Sequence, residues 1–230
     1  MGGAEWYHGR RLKASLAMLS GILNHPITFL LWFAAVAVTL SVHEFAHAAV
    51  AVALGDETPR RAGRFTLNPL AHADILGTLT FLFLGFGWAK PVPFNPHNLR
   101  VKRWGATIVA LAGPASNLLL VLIFGVVNLV LVNRLGLTNL LTLFIIFMVT
   151  ASAALFLFNL IPVPPLDGSK LLLAALSAPQ HARTRFILET QGPFILLALI
   201  ILDNLFGIAI FDRLIGGPII AIARLFRLPI

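Results

Sequence analysis

The sequence predicts an all-α integral membrane protein: a bundle of about four full transmembrane helices, plus a re-entrant hairpin or small sheet and interfacial helices. Three observations indicate this class. Of the 230 residues, 58% are hydrophobic and 11% are charged, whereas soluble domains carry about 25% charged residues. The mean hydropathy is +0.90. The charges also fall mainly in short stretches between long apolar runs, as in a chain that crosses a membrane several times.

Four of the apolar runs are long enough for full spans, since a helix needs about 20 apolar residues to cross the hydrocarbon core. They cover residues 27–54, 104–132, 137–161 and 186–206. A fifth run, residues 75–88, is rich in Gly and Phe and is too short to span. We therefore expect it to turn back as a re-entrant hairpin or to join a small sheet. The alternation around Phe65 predicts a short strand beside it.

Both ends of the chain are predicted to lie along the membrane surface. Residues 1–26 hold three basic residues and then a modest apolar patch, which favours an interfacial segment. Residues 207–230 alternate apolar residues with charged ones, which favours an amphipathic interfacial helix. The sequence contains no internal repeat and no linker, so we expect one domain over residues 1–230.

The net charge of +8 indicates membrane orientation rather than nucleic-acid binding, because the basic residues fall mainly in short stretches between apolar runs, and the loops that follow residues 54, 88 and 176 are all basic. Placed together in the cytoplasm, these loops satisfy the positive-inside rule. The N-terminus then lies outside, although Arg10, Arg11 and Lys13 favour the opposite side. The sequence has no cysteine, so any metal must bind through His, Asp or Glu.

The most informative stretch lies inside the first apolar run and reads His43-Glu44-Phe-Ala-His47. Residues four apart share one face of a helix, so both imidazoles can bind one zinc ion while Glu44 points toward water beside it. Ionisable side chains are costly inside a membrane, which favours a functional role over packing. The expected chemistry is metal-assisted hydrolysis with Glu44 as the general base.

A catalytic zinc ion takes three protein ligands and keeps one position open. Asp167 is favoured as the third ligand because the prolines of residues 162–165 must end the preceding span and make room there. His72 and Asp74, in a loop near the mouth of the site, are the main alternatives. Asp167 is also a good helix N-cap, a role that is compatible with binding metal.

Two asparagines are further candidates for the site. Asn159, near the end of the third span, is expected to donate a hydrogen bond to the developing oxyanion or to the substrate backbone. Asn117, in the Gly-Pro break of the second span, is a secondary active-site candidate together with His72. The alternative for each asparagine is a hydrogen bond that bridges helices, as polar residues form in membranes. The alternative for His72 is an ordinary loop histidine.

Three stretches together resemble the site-2 proteases, the zinc intramembrane metalloproteases of peptidase family M50. They are residues 43–47 (HEFAH), 112–117 (AGPASN) and 159–168 (NLIPVPPLDG), and the similarity covers most of residues 41–172. The resemblance implies that His43, His47 and Asp167 bind zinc. It also implies that Glu44 is the general base and that Asn159 lies near the reaction centre. We expect a small member without PDZ or CBS domains.

The resemblance further implies a single intramembrane metalloprotease domain over residues 1–230. Its catalytic core covers residues 27–177, and residues 186–230 form the C-terminal span and amphipathic helix. The expected activity is hydrolysis of peptide bonds within transmembrane segments of membrane proteins, with water activated by Glu44 and one Zn²⁺ per chain.

The expected partners are a transmembrane protein substrate, the lipid bilayer and a regulatory membrane protein, but no nucleic acid. The expected location is a prokaryotic cell membrane, crossed several times, with the active site toward the cytoplasm. Two other functions remain open from the residues alone. One is an intramembrane zinc or proton transporter, and the other is a catalytically silent membrane chaperone.

Overall fold

The computed structural model describes residues 25–84, 87–136 and 139–229, and these residues are mainly α-helical. In chain order the α-helices are α1 (Pro26–Ala53), α2 (Thr58–Arg61), α3 (Pro69–His72), α4 (Ile75–Leu84), α5 (Gly105–Leu135), α6 (Leu140–Asn159), α7 (Gly168–Ala175), α8 (Ala182–Phe206) and α9 (Gly217–Leu225). Short 3-10 helices cover Pro96–Asn98 and Pro179–His181, and a π-helix covers Asp212–Gly216.

The long helices α1, α5, α6 and α8 are the four described helices that are long and apolar enough to cross a membrane. Each falls on one of the four long apolar runs of the sequence. The prediction of an all-α integral membrane protein is therefore confirmed. Local sequence sets several helix ends: Pro26 stands in the first turn of α1, and Gly207, in the left-handed region with φ of 64°, ends α8.

Helices α1, α5 and α6 form the centre of the bundle, where each packs against the other two. The face of α1 that is buried repeats at every fourth residue, from Ala35 through Thr39 to Ala51. Its small side chains let neighbouring helices approach closely, which is how helices associate in membranes. A hydrogen bond of 3.1 Å between the hydroxyls of Thr39 and Ser152 joins α1 to α6. This tight packing holds the histidines of α1 in the interior.

The C-terminal segment packs against α5 and α6 rather than standing apart. Asn128 Nδ2 on α5 donates a hydrogen bond of 2.9 Å to Phe226 O, just after α9. The buried apolar cluster that this segment completes contains Val121, Ile146, Val149, Ala153, Ala223, Phe226 and Leu228. The interfacial position predicted for residues 207–230 stays a prediction, and the interfacial segment predicted for residues 1–26 lies almost wholly outside the described residues.

Helix α8 is more loosely attached than the other long helices. It approaches the proline-rich loop that follows α6 at Gly192, where an added Cβ would lie 2.8 Å from Pro164 Cβ. Leu196 is buried, but Phe186 and Phe194 are largely exposed. Most of α8 therefore presents the apolar surface expected of a helix that faces lipid.

The first ten residues of the fifth apolar run form a helix, α4, where the sequence suggested a hairpin or a small sheet. Asp74 Oδ1 accepts a hydrogen bond of 2.8 Å from Gly77 N and caps the first turn of α4. The chain then returns, and Ala73 and Ala89 form an isolated antiparallel bridge. No sheet forms among the described residues, and the strand predicted around Phe65 is wrong. A ten-residue apolar run satisfies its own backbone groups as a helix, whereas a strand needs a partner. Its re-entrant position stays a prediction.

Candidate metal centre

His43 and His47 lie on the buried face of α1, midway along the row of small residues. Their exposed fractions are 3% and 8%. The two Nε2 atoms are 3.0 Å apart, and the rings meet edge to face with centroids 4.6 Å apart. The spacing of four residues therefore does what the sequence predicted: it turns two ring nitrogens toward one point inside the bundle.

Asp167 reaches the same point from the loop between α6 and α7. Its Oδ2 lies 3.1 Å from His43 Nε2 and 3.3 Å from His47 Nε2. Gly168 makes this approach possible, because an added Cβ there would lie 2.6 Å from the carbonyl carbon of Leu160. The prolines end α6, and the glycine lets the chain return against its last turn, so the carboxylate faces the histidines.

Helix α5 supports both imidazoles from behind. His47 Nδ1 donates a hydrogen bond of 2.8 Å to the carbonyl of Val109, and His43 Nδ1 lies 2.9 Å from Asn117 Nδ2. Gly113 stands between these two contacts, one turn from each. An added Cβ there would lie 2.6 Å from His43 Cε1 and even closer to His47 Nε2. The glycine is therefore required for α5 to lie against the rings.

The three converging atoms fit a zinc ion. Ligands bound at about 2.0–2.2 Å in a tetrahedral arrangement lie about 3.3–3.6 Å apart. The distances of 3.0, 3.1 and 3.3 Å among His43 Nε2, His47 Nε2 and Asp167 Oδ2 are within a few tenths of an ångström of that range. Asp167 Oδ2 is also buried without a hydrogen-bond partner. Burying an unpaired oxygen costs free energy, and binding a metal ion would offset that cost. Two imidazoles and a carboxylate suit zinc, and three protein ligands are the number that a catalytic zinc site uses.

Glu44 follows His43 on α1 and is 8% exposed. Its carboxylate makes no hydrogen bond or ion pair to any residue that the structure describes. A buried carboxylate without a structural partner retains its lone pairs for a proton, which is what a general base requires. The predicted base is therefore buried on α1, next in sequence to one histidine of the converging group.

Asn159 is the last residue of α6, one loop before Asp167. Its Nδ2 donates a hydrogen bond of 3.1 Å to Leu155 O, within the same helix. This bond uses one of the two amide hydrogens of Asn159, so the other remains available for a substrate. The role of Asn159 in stabilising an oxyanion stays a prediction.

The alternative ligands His72 and Asp74 are not part of the group. His72 is buried and its Nε2 donates a hydrogen bond of 2.8 Å to Thr66 O, so it ties its own loop together. Asp74 caps α4. Among the described residues, the potential metal-binding group consists of His43, His47 and Asp167. The role suggested for His72 in the site stays a prediction without a contact to support it.

The contributions of Val109 and Gly113 were not anticipated from the sequence. The carbonyl of Val109 carries no sequence signal, because every residue has one. The signal for Gly113 was present, since Val109, Gly113 and Asn117 are spaced four apart and share a helix face. The role of Gly113 can be recognised from this spacing only when the packing of α5 against the histidine face of α1 is known.

Residues 130–201, which include Asn159 and Asp167, match the model of the family described as "Peptidase family M50". A protein of Bacillus subtilis with the printed name "Putative zinc metalloprotease YwhC" is 43% identical over 141 residues, which are 59% of this chain and 64% of that relative. The chain thus spans less than two thirds of that protein.

"Putative zinc metalloprotease Rip2" of Mycolicibacterium smegmatis is 30% identical over 193 residues, covering 78% of this chain and 70% of the relative. Its counterpart of the same name in Mycobacterium tuberculosis is 28% identical over 196 residues, or 82% of this chain and 73% of the relative. No solved structure shows significant similarity to the chain. With a relative of this identity matched over most of both sequences, the chain belongs to peptidase family M50, the site-2 protease family.

Proposed function

We propose that the chain is a zinc-dependent intramembrane endopeptidase that hydrolyses peptide bonds within transmembrane segments of membrane proteins. The observation that carries the proposal is the convergence of His43, His47 and Asp167 inside a bundle of apolar helices, with an unpaired Glu44 beside them. The names of the relatives, which describe zinc metalloproteases, support the metal and the reaction class.

When bound, zinc supplies a Lewis acid that polarises a peptide carbonyl and makes water more acidic. His43, His47 and Asp167 would hold the ion, and other side chains of the protein carry out the proton transfers and stabilise the developing charge. Glu44 removes a proton from the attacking water as the new C–O bond forms. It then gives that proton to the amine nitrogen as the C–N bond breaks. Asn159 has a second amide hydrogen for the developing oxyanion.

The depth of the site supports a substrate that itself lies in the membrane. His43 lies on a full span, about 15 Å from its end at Ala53 at 1.5 Å per residue. A peptide bond in an intact helix is shielded by its hydrogen bonds, so the substrate helix must unwind locally. Gly, Pro or Asn near the cytoplasmic end of the substrate helix should favour cleavage.

The basic loops support a site that opens toward the cytoplasm of a prokaryotic cell. Arg60, Arg61, Lys90, Arg100, Lys102 and Arg103 all lie between α1 and α5, and positive loops remain on the cytoplasmic side. The end of α1 nearer to the histidines leads into these loops. The partner that this depth implies is a transmembrane substrate entering from the bilayer, and a regulatory membrane protein remains an expectation from the sequence.

The arrangement favours hydrolysis over metal or proton transport. A transport pathway needs exchangeable sites in series across the membrane. Here the three ligand atoms all lie within 4.8 Å of one another. Glu44 also stands next to them without being one of them, as a general base does.

The Glu44→Gln variant tests the proposal because it keeps the shape of the side chain and removes its basicity. We expect it to retain one zinc ion per chain while cleavage falls by at least about 100-fold, the usual contribution of general acid–base catalysis. Membranes from cells that express wild-type or variant protein would be compared by mass spectrometry, with uncut substrates accumulating in the variant.

Glu189→Gln is the matched control, because Glu189 lies on the exposed surface of α8 and pairs with Arg185. This variant should cleave like wild type. Full cleavage by Glu44→Gln would overturn the proposed mechanism. Zinc flux into liposomes without any cleavage would instead identify a transporter. Equal phenotypes of the wild-type and Glu44→Gln proteins, with no substrate cut by either, would identify a silent family member.

A further inference from the structure

The amide of Asn117 faces the back of His43, one of the two histidines among the three proposed zinc ligands. Asn117 is fully buried on α5, and its Nδ2 lies 2.9 Å from His43 Nδ1. Its Oδ1 is buried without a hydrogen-bond partner. Asn128 on the same helix is equally buried with an orphaned Oδ1, so the feature that sets Asn117 apart is the contact of its amide with a proposed ligand histidine.

The role of Asn117 follows from where the proton of a metal-binding histidine must lie. An imidazole that binds metal through Nε2 needs its lone pair there, so its proton must sit on Nδ1 and needs an acceptor. For His47 that acceptor is the carbonyl of Val109, 2.8 Å from Nδ1. A carbonyl can only accept, so it fixes the tautomer of His47 by itself. For His43 the group that faces Nδ1 is the Asn117 amide.

An amide can present either of its ends to the ring. A half-turn about the Cβ–Cγ bond exchanges Oδ1 with Nδ2 at almost unchanged positions, and the hydrogen-bond network decides between them. With Oδ1 toward His43, the side chain accepts the Nδ1 proton and frees Nε2 for metal. With Nδ2 toward His43, the proton would occupy Nε2, the atom that lies 3.1 Å from Asp167 Oδ2.

We propose that Asn117 is a positioning residue whose Oδ1 accepts the Nδ1 proton of His43 and thereby fixes the tautomer that presents Nε2 to zinc. The inference rests on the metal site of the proposed function. Helix α5 then orients both ligand imidazoles, through Val109 O for His47 and Asn117 for His43, with Gly113 leaving room between them. Each histidine has its own acceptor, two turns apart on one helix face.

An asparagine suits this position better than an aspartate would. Asp167 and Glu44 already bring two carboxylates to the buried site, and a third negative charge inside an apolar bundle is costly. The amide supplies an acceptor without adding a charge. An Asp at this position would still fix the same tautomer, because a carboxylate can only accept a hydrogen bond from the ring.

The test measures zinc affinity by chelator competition in the full-length, detergent-solubilised chain. Asn117→Leu keeps roughly the volume and removes the acceptor, and we expect zinc affinity to fall about 10- to 100-fold, the usual effect of losing such a partner. Asn117→Asp restores an acceptor and should recover most of the affinity. Asn128→Leu is the matched control, since Asn128 is equally buried on α5 with its own orphaned Oδ1. It should bind zinc like wild type.

A second measurement reads the tautomer directly and does not depend on activity. In the zinc-loaded wild-type chain, ¹⁵N NMR of histidine should report a proton on His43 Nδ1 and none on Nε2. A His43 Nδ1 without a proton would overturn the inference, as would unchanged affinity in Asn117→Leu or equal losses in Asn117→Asp and Asn117→Leu. Failure of the wild-type chain to bind zinc would instead refute the metal site itself, so the two failures are distinguishable.

Discussion

Asp56 and Asp167 are two shielded carboxylates that follow the ends of long helices, yet their oxygens have opposite surroundings. Asp56 is fully buried just after α1. Both of its oxygens accept hydrogen bonds: from the amide and hydroxyl of Thr58 at 3.1 and 2.6 Å, from Asn95 N at 2.6 Å and from Asn98 Nδ2 at 2.9 Å. Asp167 Oδ2, in contrast, is buried with two imidazoles within 3.3 Å and no hydrogen bond.

The difference separates a structural carboxylate from one that is arranged for a ligand. Four donors neutralise the cost of burying Asp56 and join the loop after α1 to the segment before α5. The close backbone packing at Gly168 positions the Asp167 carboxylate. Its Oδ2 has no hydrogen-bond donor and remains available to bind a metal ion. The two groups carry the same charge, but Asp56 is fully buried whereas the Asp167 side chain is 19% exposed. The more deeply buried carboxylate is thus the one whose oxygens are saturated with hydrogen bonds, and that saturation marks it as structural.

The largest effect should separate the two aspartates by metal binding. Asp167→Ala removes one of three proposed ligands. Loss of a residue that only supports a ligand lowers metal affinity about 10- to 100-fold, so the loss of zinc affinity in Asp167→Ala should be larger than that. Asp56→Ala should leave the zinc affinity of the folded chain unchanged. It should instead lower stability, by about 1–3 kcal/mol for each buried donor left unsatisfied. Chelator competition and thermal unfolding in detergent measure the two quantities.

Equal zinc stoichiometry and affinity in Asp167→Ala and wild type would contradict this assignment. The third ligand would then have to come from His72 or Asp74. A loss of zinc in Asp56→Ala at temperatures where the variant is folded would show that the two carboxylates are not independent.

A smaller effect should come from the glycines of α5. Gly113→Ala places a methyl group against both imidazoles, and forced overpacking of this kind costs about 1–3 kcal/mol. Because the rings must move, zinc affinity should fall about 10-fold or more, at roughly 1.4 kcal/mol for each factor of ten. Gly125→Ala is the matched control, since its Cβ would lie 2.6 Å from the Phe226 ring, away from the metal site.

Both variants should lose thermal stability, but Gly113→Ala alone should lose zinc affinity. Equal zinc affinities in the two variants would mean that the rings do not depend on the close approach of α5.

The smallest effect concerns pH. Burial would raise the pKa of Asp56, but the hydrogen bonds from Thr58, Asn98 and Asn95 outweigh it, so the folded-state pKa lies below the ordinary value of an aspartate. A carboxyl group with a lowered pKa stabilises the fold above its unfolded pKa, and this contribution is lost as pH falls through the folded pKa. The stability that Asp56 provides should therefore be complete above about pH 5 and should decline below about pH 4.

The control for this decline is Asp56→Asn, which cannot titrate. The difference in melting temperature between wild type and Asp56→Asn should shrink as pH is lowered from 6 toward 3. A difference that stays constant over this range would show that the Asp56 carboxylate does not carry the pH dependence.

Much of the bundle could be predicted from residue type alone. The four long helices fall on the four apolar runs because a membrane requires every backbone group to be bonded within its own segment. The pairing of His43 and His47 follows from helix geometry. Helix α4 was harder to predict, because a short apolar run such as residues 75–88 is equally compatible with a short helix, a hairpin or an edge strand. In the structure, Asp74 caps the first turn and so favours a helix from Ile75, and the pairing with the returning chain is limited to the Ala73–Ala89 bridge.

The sequence by itself determined the membrane class, the nitrogen and oxygen ligand chemistry that follows from the absence of cysteine, and the metal-binding face of α1. The sequence favoured Asp167 over His72 and Asp74 as the third ligand, and the tertiary structure brings Asp167 to the histidines and sets which groups stand behind them. Asp167, Val109 and Asn117 are 124, 62 and 74 residues away from the histidines they approach, counted as 167 − 43, 109 − 47 and 117 − 43. Contacts over such separations depend on how helices pack, and no local pattern encodes that.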